Sequence, residues 1–299
     1  MTVKYKVIAL AVSSALLVAC GSDNNNSVEA ESYTTVQAFD GAVRYLDTFM
    51  TCGSEPEVFI GETGGEGKIL IGEGNFPLFD EDPTQCDFSF REDPNFGSKE
   101  AIDESNSKPM PNVAYSVPGS LIVAGEPIAG TPFTTLIAKR LQEQPDTELD
   151  EIIDSVFEES FPAGTDLTDT QKSQLLSDPS TALASMDEQT SANVQASTII
   201  LSDALIAQPD KDSSDLTNVT KTLATTLAAD PNFPVNEDGN PTYVDVSEEL
   251  KDDTNFDDVV NTEPGDAEIP DDALVPGEEL PPEEPEELPP ATGGGGTTG

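Results

Sequence analysis

Hydrophobic residues change their spacing along the chain near residue 131. Before that point they come in short runs, rich in aromatic and β-branched side chains and separated by Gly, Pro and Asn. Such runs are typical of β-strands joined by turns. We therefore predict a small antiparallel, sandwich-like β domain over residues 36–130. Its apolar runs are Ala42 to Met50, Val58 to Ile60, Lys68 to Ile71, Asp87 to Phe90 and Ser120 to Ala124.

From Thr131 the apolar residues recur every three or four positions. Thr131 followed by Pro132 is a helix-start signal, and an apolar helical stripe follows. A second helix is expected from Thr147, a third over 181–207 and a fourth over 216–228. Four amphipathic helices with short loops predict an antiparallel bundle over residues 131–230. The whole chain is therefore predicted to be α+β. The first stripe consists of Phe133, Leu136, Ile137 and Leu141.

After residue 230 the apolar pattern fades. Residues 237–299 carry twenty acids and one base, Lys251, and the chain ends in Pro-, Glu- and Gly-rich sequence. Such a composition buries too little apolar surface to offset the entropy of ordering the chain. We predict a disordered acidic tail over residues 231–299.

The N-terminus has the composition of an export signal. Lys4 and Lys6 precede thirteen mostly apolar residues, far fewer than the ~20 that a membrane-spanning helix needs. Residues 1–19 are therefore predicted to be a signal peptide. Residues 20–35 are polar and lack apolar periodicity, so they are expected to form a tether.

The end of this signal, Leu17-Val18-Ala19-Cys20, resembles the lipobox of bacterial lipoproteins. The resemblance implies a diacylglyceryl thioether on the Cys20 sulfur, cleavage before Cys20 and a further acyl chain such as palmitate. Two or three chains make a lasting anchor in a bilayer. Gly21 and Ser22 follow the cysteine without an Asp, which by the same resemblance implies the outer membrane of a Gram-negative cell, on its periplasmic or cell-surface face.

The charge limits the partners. The chain has 58 acids against 13 bases and a formal charge of −45. Phosphate groups would be repelled, so nucleic acid is excluded as a partner. Contact of the protein surface with an anionic bilayer is disfavoured for the same reason. The bilayer is expected as a partner only through the acyl chains on Cys20, and a protein or matrix partner is left unspecified.

Two cysteines remain after Cys20. Cys52 and Cys86 form an even pair in an exported chain, which predicts a disulfide. On the chain-entropy account, closing that loop stabilises the fold by ~3–4 kcal/mol. A zinc site is not predicted, because the chain has no His and too few Cys to complete one.

The residue types of this chain are compatible with few kinds of catalytic chemistry. Without His, nucleophile systems that need this base are excluded, and no Gly-x-Ser-x-Gly elbow, P-loop or dinucleotide motif occurs. A pair of carboxylates could hydrolyse glycosides, but no pair is singled out and the chain has no Trp for a sugar platform. We predict a non-enzyme with no catalytic residue, no cofactor and no assigned metal ligand. Calcium stays an alternative, with oxygen-rich loops at 80–82 and 236–240.

A second resemblance concerns the junction of the two halves. Pro132-Phe133-Thr134-Thr135-Leu136 resembles the turn of a recurring module of bacterial surface proteins, in which a β segment is joined to helices. Tyr115, Pro118 and Leu121-Ile122-Val123 precede it, and Asp40-Gly41-Ala42-Val43 is similar to the opening of the β segment. The resemblance spans about residues 36–205. It implies adhesion or scaffolding and carries over no catalytic residues.

Together these observations predict a non-enzymatic outer-membrane lipoprotein that acts as a surface or envelope interaction or scaffold protein. An adhesion or matrix-assembly protein, a calcium-binding envelope protein and a hydrolase are the alternatives.

Overall fold

The computed structural model describes residues 32–96, 99–270 and 272–288. The predicted signal peptide, the lipidation site Cys20, most of the predicted tether and residues 289–299 of the predicted tail lie outside the described residues. The strands of the described part are β1 (Tyr33–Ala38), β2 (Val43–Arg44), β3 (Asp47–Cys52), β4 (Val58–Glu62), β5 (Lys68–Gly72), β6 (Cys86–Arg91), β7 (Ile102–Asp103), β8 (Ala114–Val117), β9 (Ile128–Gly130), β10 (Thr242–Val244), β11 (Leu274–Pro276) and β12 (Glu286–Leu288). The helices there are α1 (Pro77–Glu81), α2 (Pro132–Glu143), α3 (Leu149–Ser160), α4 (Asp169–Ser177), α5 (Pro179–Ala184), α6 (Glu188–Ala207), α7 (Ser213–Leu227), α8 (Ser247–Leu250) and α9 (Asp253–Val260).

Two four-stranded sheets enclose the core of the β half. One has the order β12-β5-β1-β9 and the other β4-β3-β6-β8. Their inward side chains form a common apolar cluster, to which Val36 and Ile69 contribute from the first sheet and Phe88 and Phe90 from the second. Buried and more exposed positions alternate along β6, as expected for a strand with one face in the core. The predicted sandwich-like arrangement and the α+β class are confirmed.

The strand pairing in the first sheet differs from a purely antiparallel one. β1 and β5 are antiparallel, but β9 pairs with β1 and β12 pairs with β5 in parallel. A parallel pair needs a long connection between its strands. The helical half lies within the connection from β5 to β12. As a result β12, late in the chain, completes a sheet that β1 and β5 began.

Several strand boundaries predicted from the sequence need correction. β1 begins at Tyr33, inside the predicted tether, because its residues pair with β5 on one side and β9 on the other. Strands β8 and β9 were not predicted. Ser120 to Ala124 was predicted to be a strand, but it begins in a 3₁₀ turn, Gly119–Leu121, and Val123 is 53% exposed. The apolar residues of this stretch therefore belong to a loop and do not pair with a neighbouring strand.

Cys52 and Cys86 form the predicted disulfide. They are register partners of the antiparallel pair β3–β6, with Cα atoms 4.0 Å apart and an S–S distance of 1.98 Å. The bridge closes the segment that contains β4, β5 and α1. It therefore fixes the second sheet at the point where β3 and β6 meet.

The four predicted helices are present with altered bounds. The threonine start signal is correct: Thr131 and Thr134 form a reciprocal capping box at the start of α2. The third predicted helix is two helices, α5 and α6, separated at Asp187, whose side chain caps α6. α4 was not predicted, and in the structure Thr168 and Gln171 form a capping box at its start.

The predicted start of the disordered tail at residue 231 needs correction. The described residues after 230 (the C-terminal segment, residues 231–270 and 272–288) contain β10, α8, α9, β11 and β12. Phe233, Val244, Leu250 and Phe256 of this segment are buried in the same apolar cluster as the helices α2, α3, α6 and α7. A few well-placed apolar residues therefore order a stretch whose average composition is strongly acidic.

The C-terminal segment also runs along the β half. Backbone hydrogen bonds join Glu278 N to the carbonyl of Asn106 and Leu280 N to that of Glu104. The approach is so close that a Cβ on Gly65 would lie 1.8 Å from the Glu283 carbonyl oxygen. Only glycine fits there without displacing the segment.

None of the helices in the described ranges combines the length and the apolar composition needed to cross a bilayer.

Candidate functional site

A buried ion pair lies where the β half, helix α6 and the C-terminal segment meet. Lys108 Nζ lies 2.5 Å from Asp203 Oδ1, and both side chains are almost fully buried. The other oxygen of Asp203 accepts a hydrogen bond of 2.9 Å from the backbone N–H of Val246. Separating the members of such a pair would leave an uncompensated buried charge, which is strongly destabilising. The pair therefore favours the one arrangement of the three parts in which Lys108 and Asp203 meet.

Asp40 is a second buried carboxyl group of this region. It follows β1 and is 3% exposed. Tyr115 donates a hydrogen bond of 3.3 Å to Asp40 Oδ2, and the Tyr115 hydroxyl lies 2.9 Å from Ser202 Oγ. The second oxygen, Oδ1, has no hydrogen-bond partner among the described residues. Buried polar atoms are nearly always paired, so this oxygen marks a place where a donor is missing.

Asp103 is a third buried carboxyl group, and its oxygens are satisfied. Oδ1 accepts hydrogen bonds from the backbone N–H and the hydroxyl of Ser105, and Oδ2 accepts one of 2.6 Å from Asn106 Nδ2. A Cβ on Gly41 would lie 2.4 Å from both carboxyl oxygens. Gly41 therefore lets the Asp40 loop lie directly against Asp103.

Burial changes the protonation of these groups. It raises the pKa of Asp103 to about 6, against the hydrogen bonds from Ser105 and Asn106, which favour the charged form. Burial raises the pKa of Asp40 well above its usual value, and the nearby ammonium of Lys108 only partly opposes this. Burial alone would lower the pKa of Lys108, but the attraction of Asp203 and Asp40 outweighs it and leaves that pKa raised. The cluster holds three carboxyl groups around one ammonium group, and the raised pKa values mean that bound protons offset part of this shortage of positive charge.

A cavity of about 360 Å³ lies beside this cluster. Its wall is contributed by four parts of the chain: the loop after β1, the loop after β7, helices α5 and α6, and the hairpin between Phe233 and Thr242. A volume of this order is at the lower end of the range for small-molecule sites, which commonly form where separate parts of a fold meet. The apolar lining residues are Phe39, Leu183, Ile199, Phe233, Pro234, Val235 and Pro241, and the polar ones are Asp40, Asp103, Ser105, Asn106, Ser180, Gln195, Thr198 and Thr242.

The loops nominated for calcium have other hydrogen-bonding roles. Asn236 Oδ1 accepts from the backbone N–H of Asp238 and of Asn240, which closes a tight turn. Asp82 accepts from Thr84 N and so caps a short 3₁₀ turn. Within residues 32–96, 99–270 and 272–288, no group of three or more His, Cys, Asp or Glu residues is arranged to hold a metal ion.

Asp40, Gly41 and Tyr115 of this site stood out in the sequence only as parts of the resemblance to the surface-protein module, not as site residues. The predicted site residues lie elsewhere: Cys52 and Cys86 form the disulfide, and Cys20 lies outside the described residues. One signal was available. Asp203 interrupts the apolar run Ile199 to Ile206 of a predicted helix, and an acid on a buried helix face requires a partner. Nothing in the sequence indicates that this partner is Lys108, 95 residues earlier.

Comparison with known proteins gives no family for this chain. No family model, no curated protein and no solved structure matches it.

Proposed function

We propose that the chain is a non-enzymatic lipoprotein of the outer membrane of a Gram-negative cell, held by acyl chains on Cys20, and that its acidic body acts by binding. The observation that carries the proposal is the lipobox Leu17-Val18-Ala19-Cys20 at the end of a short apolar run. Residues 21–32 separate Cys20 from the first strand, and fully extended they reach about 40 Å. Such a tether lets the body contact partners away from the bilayer.

A binding role agrees with the chemistry of the body. The chain has no His, and the cluster around Asp40 has no activated nucleophile of the kind that covalent catalysis uses. What the cluster offers is buried carboxyl groups beside a cavity, which is typical of a binding site.

Metabolic labelling tests the anchor. Cells that express the chain are grown with a labelled palmitate analogue, and the purified protein is assayed for label. We expect label on the wild-type chain and none on the Cys20→Ala variant, because acylation needs the Cys20 sulfur. The control is the double variant Cys52→Ala/Cys86→Ala, which removes the other two cysteines, and with them the disulfide, and is expected to retain the label. A labelled Cys20→Ala chain, or an unlabelled wild-type chain, would refute the anchor.

The membrane and the face are tested separately. Fractionation is expected to find the wild-type chain in the outer membrane and the Gly21→Asp variant in the inner membrane, since an Asp after the lipidated cysteine opposes sorting outward. Digestion of intact cells with an added protease then distinguishes the cell surface, where the chain is cut, from the periplasmic face, where it is protected. An outer-membrane location for both variants would remove the sorting argument.

An exposed aromatic patch favours adhesion or matrix assembly as a second candidate function. The rings of Phe59 and Phe96 stack with centroids 4.4 Å apart, and the two residues are 38% and 54% exposed. Val58, beside them, is 40% exposed. Exposed apolar clusters commonly mark interaction sites. We expect the Phe59→Ser/Phe96→Ser double variant to reduce attachment of cells to a surface, whereas Leu78→Ser, at an exposed residue elsewhere, does not. Equal attachment of all three strains would argue against this role.

A further inference from the structure

We propose that the cavity beside Asp40 binds a small primary amine that carries an apolar group. The proposal concerns the body of the protein and does not depend on the anchor. It rests on three features: the size and apolar lining of the cavity, the unpartnered oxygen of Asp40, and the shortage of positive charge around it.

The lining sets the size and the character of the apolar part. Phe39, Ile199 and Phe233 line a cavity of about 360 Å³, and each of the three is less than 10% exposed. An aromatic or branched aliphatic group of the size of an amino-acid side chain fits that space. Transfer of such a group from water to an apolar lining contributes roughly 25 cal/mol per Å² of buried surface.

The unpartnered oxygen sets the polar part. Asp40 lines the cavity, and its Oδ1 accepts no hydrogen bond from the described residues. The oxygen has almost no solvent-accessible surface, so a ligand reaches it by a side-chain adjustment of the kind that often accompanies binding. A donor from the ligand would then complete the hydrogen bonding of the carboxylate.

The charges select an ammonium group over a hydroxyl group. Lys108 forms an ion pair with Asp203 at 2.5 Å, so its ammonium group only partly offsets the charge that Asp40 and Asp103 carry when they are ionised. A hydroxyl group would supply the hydrogen bond but not the charge. An ammonium group supplies both, and charge-assisted hydrogen bonds are roughly twice as strong as neutral ones. The overall charge of −45 also attracts a cation to the protein.

A bare metal ion fits the cavity less well. Calcium takes six to eight oxygen ligands, but both oxygens of Asp103 already accept hydrogen bonds from Ser105 and Asn106. The apolar residues of the wall provide no further ligands. The cavity therefore suits a cation that brings its own apolar surface.

Access to the cavity is from solvent. Ser105, Ser180 and Val235 are exposed lining residues, from the β half, the helical half and the C-terminal segment respectively. An apolar side chain that is 48% exposed, as Val235 is, would be covered by a ligand that fills the mouth. Ser180 lies near the start of α5, where a large side chain would close this mouth.

Binding of a cation and of a proton compete at Asp40. Burial raises the pKa of this carboxyl group, and the charged or titratable groups around it are Lys108, Asp103, Asp203, and Tyr115. An ammonium group favours the charged carboxylate, so amine binding releases a proton. The affinity for the amine is therefore expected to fall as the pH is lowered and Asp40 takes up a proton.

The probes are 2-phenylethylamine and its uncharged analogue 2-phenylethanol. Their affinities are measured by isothermal titration calorimetry on the soluble chain from residue 20 to residue 299 with Cys20→Ser, which retains every residue that the structure describes. We expect the amine to bind at least tenfold more tightly than the alcohol. Equal affinities would overturn the selection of a cation, and no binding of either probe would overturn the site.

Three variants locate the binding. Asp40→Asn is expected to weaken amine binding at least tenfold and to leave alcohol binding within about threefold. Asp146→Asn, at an exposed residue outside the cavity, is the matched control and is expected to bind both probes as the wild type does. If Asp40→Asn does not fold, Ser180→Trp serves, because it narrows the mouth and is expected to weaken both probes. Wild-type affinity of a folded Asp40→Asn or of Ser180→Trp would overturn the proposal. Because the soluble chain lacks the anchor, failure here leaves the lipoprotein proposal standing.

Discussion

The helical segment of residues 131–230 and the C-terminal segment after it fold against the same core by different means. The helical segment contributes continuous stripes, such as Ile152, Val156 and Phe157 of α3. The C-terminal segment contributes single residues separated by acidic stretches, such as Phe233 and Phe256. The first kind of contribution is visible as periodicity, and the second is not. Average composition therefore misjudges a segment whose few apolar residues all reach a core formed by the rest of the chain.

Truncation of a buried aromatic residue in each segment tests whether both belong to one cooperative core. Phe256 is 0% exposed and Phe157 is 2% exposed. Replacement of either by Ala is expected to cost about 3–5 kcal/mol of unfolding free energy, through lost burial and the cavity left behind. Denaturant unfolding followed by circular dichroism measures this.

Phe96→Ala, at a residue that is 54% exposed, is the control and is expected to change the free energy of unfolding by less than about 1 kcal/mol. A Phe256→Ala variant as stable as the control would mean that the C-terminal segment is not part of the core.

A buried arginine tests the contact of the C-terminal segment with the β half. Arg44 Nε lies 2.9 Å from Glu104 Oε2, and Arg44 Nη2 donates a hydrogen bond of 2.7 Å to the Pro281 carbonyl. The Arg44 side chain is 2% exposed. Arg44→Met removes both contacts, leaves Glu104 Oε2 with only the hydrogen bond from the backbone N–H of Glu66, and is expected to cost about 3–5 kcal/mol. Limited proteolysis should then cut faster after residue 277.

The control for this variant is Arg91→Met, which removes a more exposed ion pair to Glu57. Such pairs contribute only about 0–1 kcal/mol. Equal proteolysis of the two variants would show that Arg44 does not hold the segment.

The pH dependence of stability tests the buried carboxyl group beneath the C-terminal segment. Burial raises the pKa of Asp103 to about 6, against about 3.9 in an unfolded chain. The folded state therefore holds the proton more tightly, and this contribution to stability is fully present below pH 4 and lost as the pH rises through 6. We expect the free energy of unfolding to rise by about 1 kcal/mol from pH 7 to pH 5 on account of Asp103, measured by urea titration at each pH. In Asp103→Asn the rise should be smaller, and an unchanged rise would assign it to other acids.

The smallest expected effect concerns a single hydrogen bond between helix α7 and the C-terminal segment. Thr226 Oγ1 donates a hydrogen bond of 2.8 Å to the carbonyl of Ala267. Thr226→Val keeps the shape and removes the donor, which is expected to cost about 1 kcal/mol. Thr225, whose hydroxyl bonds to the Lys221 carbonyl of its own helix, gives the matched control Thr225→Val. Thermal unfolding compares the two, and a control at least as destabilised as Thr226→Val would contradict the contact.

The sequence predicted features that depend on residues close to one another along the chain. Thr131 with Pro132 marked the start of α2, and the short aromatic-containing run Asp87 to Phe90 marked β6. The sequence did not predict α4, because the cap at Thr168 lies within an acidic stretch whose composition is also typical of a loop. It missed the cluster around Asp40, because its members come from five separate stretches of the chain. An interaction between Lys108 and Asp203 leaves no local pattern at either residue.

The sequence by itself determined the class of the fold, the succession of a β half and a helical half, the pairing of its two remaining cysteines and the absence of His-based chemistry. These features depend on residue type and on the spacing of residues that are near neighbours in the sequence. The tertiary structure alone decided that the acidic C-terminal segment is folded, that β12 completes a sheet begun by β1 and β5, and that Asp40 is buried beside a cavity. Each of these depends on burial against residues far away in sequence, and burial is a property of the folded chain as a whole.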